Sequence, residues 1–156
     1  MDLTGEYTLA ASKESVWAGL NDPDVLKRCI PGCKELEQQS PTRFTATVAL
    51  KIGPVSATFK GSVELQDMNP PNGYRIVGQG SGGIAGFAKG GATVWLTENE
   101  GGTVLTYTAN AEVGGKLASL GARLIQSTSK KLADQFFSAF ANEMSRSEVG
   151  IVQLQI

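Results

Sequence analysis

Residues 43–66 read RFTATVALKIGPVSATFKGSVELQ, and the reading of this run decides the fold. Before Gly53-Pro54, the apolar set Phe44, Ala46, Val48, Leu50 and Ile52 alternates with Arg43, Thr45, Thr47 and Lys51. After it, Val55, Ala57, Phe59, Val63 and Leu65 alternate with Ser56, Thr58, Lys60, Ser62, Glu64 and Gln66. A period of two with polar partners marks strands that bury one face and wet the other. The short Gly-Pro turn makes the pair antiparallel. The same period extends outward over the whole stretch from Glu35 to Gly115. Pro70-Pro71-Asn72-Gly73 is a turn before a strand opening at Tyr74-Arg75-Ile76-Val77. Asn99-Glu100-Gly101-Gly102 is a hairpin signal between strands over 92–97 and 103–113, the last with Leu105, Tyr107, Ala109, Ala111 and Val113 on one face.

Helical spacing flanks the strands. Glu6 to Ala11 reads as a first strand, and Ser12 caps a helix over 13–20 with Val16, Trp17 and Leu20 at helical intervals. Asp22-Pro23 opens a second short helix through Val25 and Leu26, which Pro31-Gly32 stops. Beyond Gly114-Gly115, a wide apolar stripe (Leu117, Leu120, Leu124, Ile125, Leu132, Phe136, Ala139, Phe140) runs to about Ser147, with Lys130, Lys131, Asp134 and Glu143 on the polar side. At roughly 1.5 Å per residue such a helix is about 45 Å long. Gly150 is its expected stop.

The fold class is therefore α+β: a curved antiparallel sheet of about seven strands wrapped around a long C-terminal helix, with two short helices after the first strand. The expected organisation is a single domain over 1–149 and a short tail over 150–156. A sheet apolar on one face must cover that face, and only the C-terminal helix is long enough. A strongly curved sheet and one helix cannot stay equally close everywhere. The inward set mixes bulky Phe44, Phe59, Phe87, Trp95 and Tyr107 with tiny Ala46, Ala57, Gly61, Ala109 and Ala111. The mixture reads as an apolar pocket; the competing reading is that Gly and Ala let helix and sheet approach closely. The expected lining is Leu26, Ile30, Phe44, Val48, Phe59, Phe87, Trp95, Tyr107, Leu117, Leu120 and Leu124, with the Tyr107 hydroxyl as the inward polar tip.

Composition narrows the function. The chain has 156 residues, 41% of them hydrophobic, with 19 glycines that follow no collagen period. Fourteen Lys and Arg balance fifteen Asp and Glu, which argues against a strongly basic polyanion binder. Histidine is absent, which removes His general bases, His-paired nucleophiles and most zinc sites. Cys29 and Cys33 stand as C-x-x-x-C, neither a four-ligand metal set nor the redox C-x-x-C spacing, and read as reduced packing residues of a cytoplasmic protein. No basic n-region opens the chain, and its longest uncharged stretch, 76–88, is too short and Gly-rich to span a bilayer.

The motifs that hint at chemistry lack their contexts. Gly78-Gln79-Gly80-Ser81-Gly82-Gly83 matches G-x-G-x-x-G, but the run from Ile84 to Gly91 is too rich in glycine to open a helix on a pyrophosphate. The motif reads instead as a hairpin whose glycines let the sheet bend. Ser127-Thr128-Ser129-Lys130 matches S-x-x-K without its companion elements. Asp22 and Asp24 are explained by a helix start, and Glu35/Glu37 and Glu98/Glu100 lie at strand ends. Lys89, a cation among glycines, reads as a solvated loop lysine or as a contact for a polar head group at a pocket mouth. No catalytic constellation and no metal site emerge.

The order of elements resembles the START-like helix-grip superfamily of ligand-binding proteins, which includes aromatic cyclases and birch-pollen-allergen-like proteins. Ile30-Pro31-Gly32-Cys33, the run from Gly82 to Gly90, and Gly114-Gly115-Lys116-Leu117-Ala118 through Phe136-Phe137 are similar to the carbon monoxide dehydrogenase G-subunit family. That resemblance implies an accessory to molybdenum-containing CO dehydrogenases and related hydroxylases, associated with membrane recruitment. It also implies a bound hydrophobic ligand, such as an isoprenoid quinone or lipid, and no covalent cofactor. Many members of that family carry a membrane-binding tail, whereas 150–156 is apolar but too short to anchor. The leading expectation is a non-catalytic carrier, cytoplasmic or peripheral at the inner face of the cell membrane, with the two short helices and the glycine loop as lid. The rivals are an assembly or adaptor protein acting by protein contact, and a cyclase- or hydrolase-like enzyme using the same cavity.

Overall fold

The alternating run folds as β3 (Arg43–Ile52) and β4 (Val55–Asn69), in register from Ile52 opposite Val55 to Arg43 opposite Glu64. The computed structural model describes the backbone of residues 1–155 and the side chains of residues 1–146. Around this hairpin stand β1 (Asp2–Leu9), β2 (Cys33–Ser40), β5 (Gly73–Ser81), β6 (Phe87–Asn99) and β7 (Gly102–Gly114). They form one seven-stranded antiparallel sheet in the order β1-β7-β6-β5-β4-β3-β2. Among the described residues, four α-helices accompany it: α1 (Lys13–Leu20), α2 (Pro23–Cys29), α3 (Lys116–Ser119) and α4 (Ala122–Gln155).

Local chemistry sets the boundaries. Ser12 accepts the Ser15 amide at 3.1 Å, and Asp22 accepts the Asp24 amide at 2.9 Å with Pro23 in the first turn. β1 starts at Asp2, four residues before the expected Glu6, because Leu3 and Gly5 find partners at Ala109 and Tyr107 of β7. The long helix is broken once. Gly121, at φ +91°, separates α3 from α4, a conformation that L side chains resist. At the other end α4 passes through Gly150, the expected stop, since a mid-helix glycine costs only about 1 kcal/mol against alanine. The side chains of the expected 150–156 tail lie outside the described residues. The G-x-G-x-x-G run forms no dinucleotide turn: Gly78 and Gly80 lie within β5, and a single 3₁₀ turn at Gly83–Ala85 leads into β6. Both cysteines are free thiols, and burial pushes each up from its usual pKa.

The interior has a solid half and a hollow half. Phe140, Leu9, Leu96, Leu105 and Val16 are almost wholly buried together, with Leu20, Tyr74 and Met144 against them. Aromatic stacking joins the later turns of α4 to the sheet, with Phe137 4.3 Å from Tyr7 and 5.5 Å from Tyr107 between ring centroids. Polar ties fix the helix at its margins. The Tyr7 hydroxyl donates to Asp134 at 2.5 Å, Gln126 donates to the Asp2 carbonyl at 2.8 Å, and Arg28 of α2 grips Glu143 through two bonds of 2.9 and 3.1 Å. The approaches of α4 thus fall mainly on β1, α1, α2 and α3, and the helix bridges the middle strands rather than resting on them.

Candidate functional site

Under that bridge lies a cavity of about 550 Å³. Its floor is a patch of the sheet with almost no side chains. The register sets Ala46 opposite Gly61, Gly61 opposite Gly80, and Gly80 opposite Ala88. One row along, Gly78 faces Gly90 and Gly90 faces Ala111; the next pairs Ile76 with Ala92. No side chain larger than a methyl rises from most of this area, so the floor is low where the helix is high. The walls are Val48, Leu50 and Ile52 of β3 and Phe59 and Val63 of β4; the roof is Ile30, Pro31, Leu117 and Leu132. Apolar residues on this stretch of β3 and β4 are only half-buried, while the same face of β6 and β7 is buried at Val94, Leu96, Leu105 and Tyr107.

The glycines of the floor are not equivalent. A Cβ at Gly80 would meet nothing closer than 3.7 Å, so a side chain there would project into the void. A Cβ at Gly90 would lie 2.2 Å from the Asn110 carbonyl oxygen, and one at Gly61 2.4 Å from the Gln79 carbonyl oxygen. Gly61 and Gly90 are required by close backbone approach; Gly80 is required by nothing in the protein itself.

Polar groups are scarce inside. Ser62, Gln79, Lys89 and Asn110 border the cavity, but the strand alternation turns their side chains to the opposite face of the sheet. No described residue presents an acid, a base or a nucleophilic side chain to the interior of this space. Its chemistry is to exclude water from an apolar body. Two larger concavities, of about 770 and 680 Å³, lie on the outer face of the sheet. Their borders carry charges that answer one another at the surface, Arg43 with Glu64 at 3.9 Å and Lys89 with Glu112 at 3.6 Å. The apolar cavity is the better candidate for a small-molecule site.

Of the residues expected to line it, Ile30, Val48, Phe59 and Leu117 come together there. Phe44 and Tyr107 belong to the solid half instead, and the Tyr107 ring, packed over Gly5 and stacked with Phe137, points no hydroxyl into the cavity. Leu26 packs against the same core. Leu120 is half-buried away from the lining, and Leu124 touches the β3–β4 turn at Gly53. Phe87 and Trp95 are on the other side of the sheet, 45% and 48% exposed. Their strand phase explains this: Phe87 shares a face with Lys89, and Trp95 with Thr93 and Thr97, while Val94 and Leu96 point inward. Ala88, Gly90, Ala92 and Leu132 line the cavity without having been expected to, although the first three continue the inward phase of Val94 and are readable from it.

A seven-stranded sheet bent around a terminal helix, with an apolar void between them, defines the START-like helix-grip class. A START superfamily protein from Mycobacterium smegmatis superposes with a TM-score of 0.70 over 93% of this chain and 97% of that one, at 14% identity. A protein of Rhizobium leguminosarum does so at 0.71, over 94% and 95%, at 18% identity. Much nearer is a conserved protein from Geobacillus kaustophilus, with a TM-score of 0.89 and 35% identity over 94% of this chain and 97% of that one. The sequence profile of the carbon monoxide dehydrogenase G-subunit (CoxG) family matches residues 5–145, and the chain belongs to that family. No curated protein matches it in a sequence comparison.

Proposed function

We propose that the protein is a non-catalytic carrier of a hydrophobic small molecule, a lipid or isoprenoid quinone, and an accessory to a molybdenum-containing carbon monoxide dehydrogenase-type enzyme. The observation that carries the reading is the 550 Å³ cavity, walled by apolar side chains and floored by glycine and alanine. Burying apolar surface there is worth about 25 cal/mol per Å² removed from water, and an extended hydrocarbon tail gains most from such a lining. With Tyr107 in the core, no described side chain inside is placed to bond a quinone carbonyl. The tail would hold the ligand, and its polar head would stay at the opening. The same lack of polar side chains weighs against the cyclase- or hydrolase-like alternative. The partner enzyme is proposed from the family description alone. Residence at the inner face of the cell membrane is proposed from the family resemblance; no described helix is long and apolar enough to cross a membrane.

Solvent extraction of the purified protein followed by mass spectrometry tests the reading. A lipid or quinone recovered from wild type and absent from Gly80→Leu is the expected result. Equal recovery from both, or no stabilisation of either by added quinone or lipid, would refute it. Pull-down of a molybdenum hydroxylase undiminished by Gly80→Leu would transfer the function to protein contact.

A further inference from the structure

The roof of the cavity is fastened unevenly. On one side Ile30 caps α2, and Pro31 follows it toward β2. That segment is held by the buried Val25 and Cys29 and by the Arg28–Glu143 pair at 2.9 Å. The Ala49 amide also donates to the Gly32 carbonyl at 2.9 Å, which ties the turn to β3. The glycine turn between β5 and β6 is held as well. The Gly82 amide donates to the Gly86 carbonyl at 2.8 Å, and a Cβ at Gly86 would lie 2.1 Å from the Gly114 carbonyl oxygen. The two short helices and the glycine loop, the expected lid, are thus seated parts of the molecule.

The other side of the roof is Leu117 on α3, and little else fastens that helix. Leu117, 2% exposed, is the only buried residue of its four, while Lys116, Ala118 and Ser119 face solvent. No side chain caps its first turn. Its hydrogen bonds close on the segment itself. The Ala118 amide donates to the Gly115 carbonyl at 3.1 Å, the Leu120 amide to Leu117 at 3.1 Å and the Gly121 amide to Ala118 at 3.3 Å. The Ser119 hydroxyl donates to the Lys116 carbonyl. Among the described residues, no hydrogen bond or ion pair ties 116–120 to the sheet or to α4.

Glycine stands at both ends, Gly115 at φ +69° and Gly121 at φ +91°. A Cβ at Gly115 would lie 2.7 Å from the Gly86 Cα, whereas one at Gly121 would meet nothing within 4 Å. Gly115 is a seated pivot and Gly121 a free joint, and both can change the sign of φ without steric penalty. We infer that α3 is the gate of the cavity: it swings on these two glycines, withdraws Leu117 from the roof and opens the route for an apolar molecule. The swing breaks no tie to the sheet and exposes one leucine side chain, which leaves the open form populated at about the per cent level. Passage of a molecule through the gate rests on the carrier function proposed above; the motion itself does not.

Two measurements separate the motion from the cargo. In the ligand-free protein, relaxation dispersion should show microsecond-to-millisecond exchange at the Leu117 methyl groups and none at Leu20 or Val25, the buried anchors of α1 and α2. A Leu117 as quiet as Val25 would overturn the gate, whatever the cavity binds. Stopped-flow uptake and release of an apolar fluorophore reads the route. Gly121→Ala places an L side chain at φ +91° and should speed uptake and release alike by about tenfold, with the dissociation constant nearly unchanged. Ala118→Gly, at an exposed position outside the cavity lining, weakens α3 without strain and should speed both several-fold even where Gly121→Ala fails to fold. Arg28→Ala, which frees α2 from α4, should change neither rate. Faster exchange in Arg28→Ala, with wild-type rates in the α3 variants, would make α2 the lid and overturn the proposal. So would weaker binding by the α3 variants at an unchanged rate of uptake, which would make α3 a fixed wall. A wild type that moves at Leu117 yet takes up no fluorophore would refute the carrier reading and leave the motion standing.

Discussion

Replacing Gly80 by leucine is a test in which a hollow and a packed interior predict opposite signs. The position lies on the cavity floor, and an added Cβ would have 3.7 Å of clearance to its nearest neighbour. The rest of the side chain would enter the 550 Å³ void and cover aliphatic walls. Burying a leucine side chain is worth about 1.5–3 kcal/mol, and removing a glycine from a strand interior adds about 0.5–1 kcal/mol. With part of that given back to lost side-chain freedom, a net gain of about 1–3 kcal/mol results. For a domain of this size each kcal/mol moves Tm by about 2–4 °C, so a rise of about 2–12 °C is expected in calorimetry. The same replacement at Gly90 drives a Cβ to 2.2 Å from the Asn110 carbonyl oxygen and should lower Tm sharply. A packed interior would make Gly80→Leu an overpacking change costing about 1–3 kcal/mol. A fall in Tm for Gly80→Leu comparable to that for Gly90→Leu would refute the reasoning.

Other expectations rest on the division into a solid and a hollow half. Tyr107→Phe should leave ligand binding unchanged, because the ring stacks against Tyr7 and Phe137 in the core; a titration showing a large loss of affinity would contradict this. Leu96→Ala, at a side chain 1% exposed, should cost about 2–5 kcal/mol in chemical denaturation, whereas Trp95→Ala one residue earlier should cost far less despite the larger side chain. Acid should loosen the helix before it unfolds the sheet. The Arg28 guanidinium holds the Glu143 carboxyl below its usual range, and Tyr7 with Lys130 does the same for Asp134. Groups with depressed folded pKa values contribute stability that is complete above the unfolded value, near 4, and lost as pH falls through the folded one. Hydrogen-exchange protection in α4, taken relative to the intrinsic amide rate at each pH, should therefore stay flat from neutrality to about pH 5 and fall below about pH 4. Early exchange in β6 instead would show that these ties do not hold the helix.

The sheet is readable because alternation is a local property. Runs such as 43–52 and 103–113 declare their strands, their wet faces and their neighbours without reference to the rest of the chain. The errors arise where a bulky aromatic outweighs its phase. Size alone places Trp95 and Phe87 inward, although Thr93, Thr97 and Lys89 share their face and mark it as wet. The break at Gly121 is invisible among apolar neighbours that continue the helical stripe, since the residue alone does not reveal its φ of +91°. The existence of a void is legible from the tiny inward residues, but its extent is not. That depends on which turn of α4 meets which strand. Phe136, Phe137 and Phe140 seat the later turns on β1 and β7, and this tertiary choice pulls Tyr107 and Phe44 into the core and leaves Leu132 above the glycine floor.

The claim that the space beneath α4 receives an apolar molecule is tested most directly by nuclear Overhauser contacts between a bound short-tailed quinone and the methyl groups of the protein. Contacts from the tail to Val48, Ile52, Leu117 and Leu132, with none to the core methyls of Leu96 and Leu105, are the predicted pattern. Contacts confined to the outer face around Phe87 and Trp95, or an absence of any intermolecular contact at saturating quinone, would contradict it.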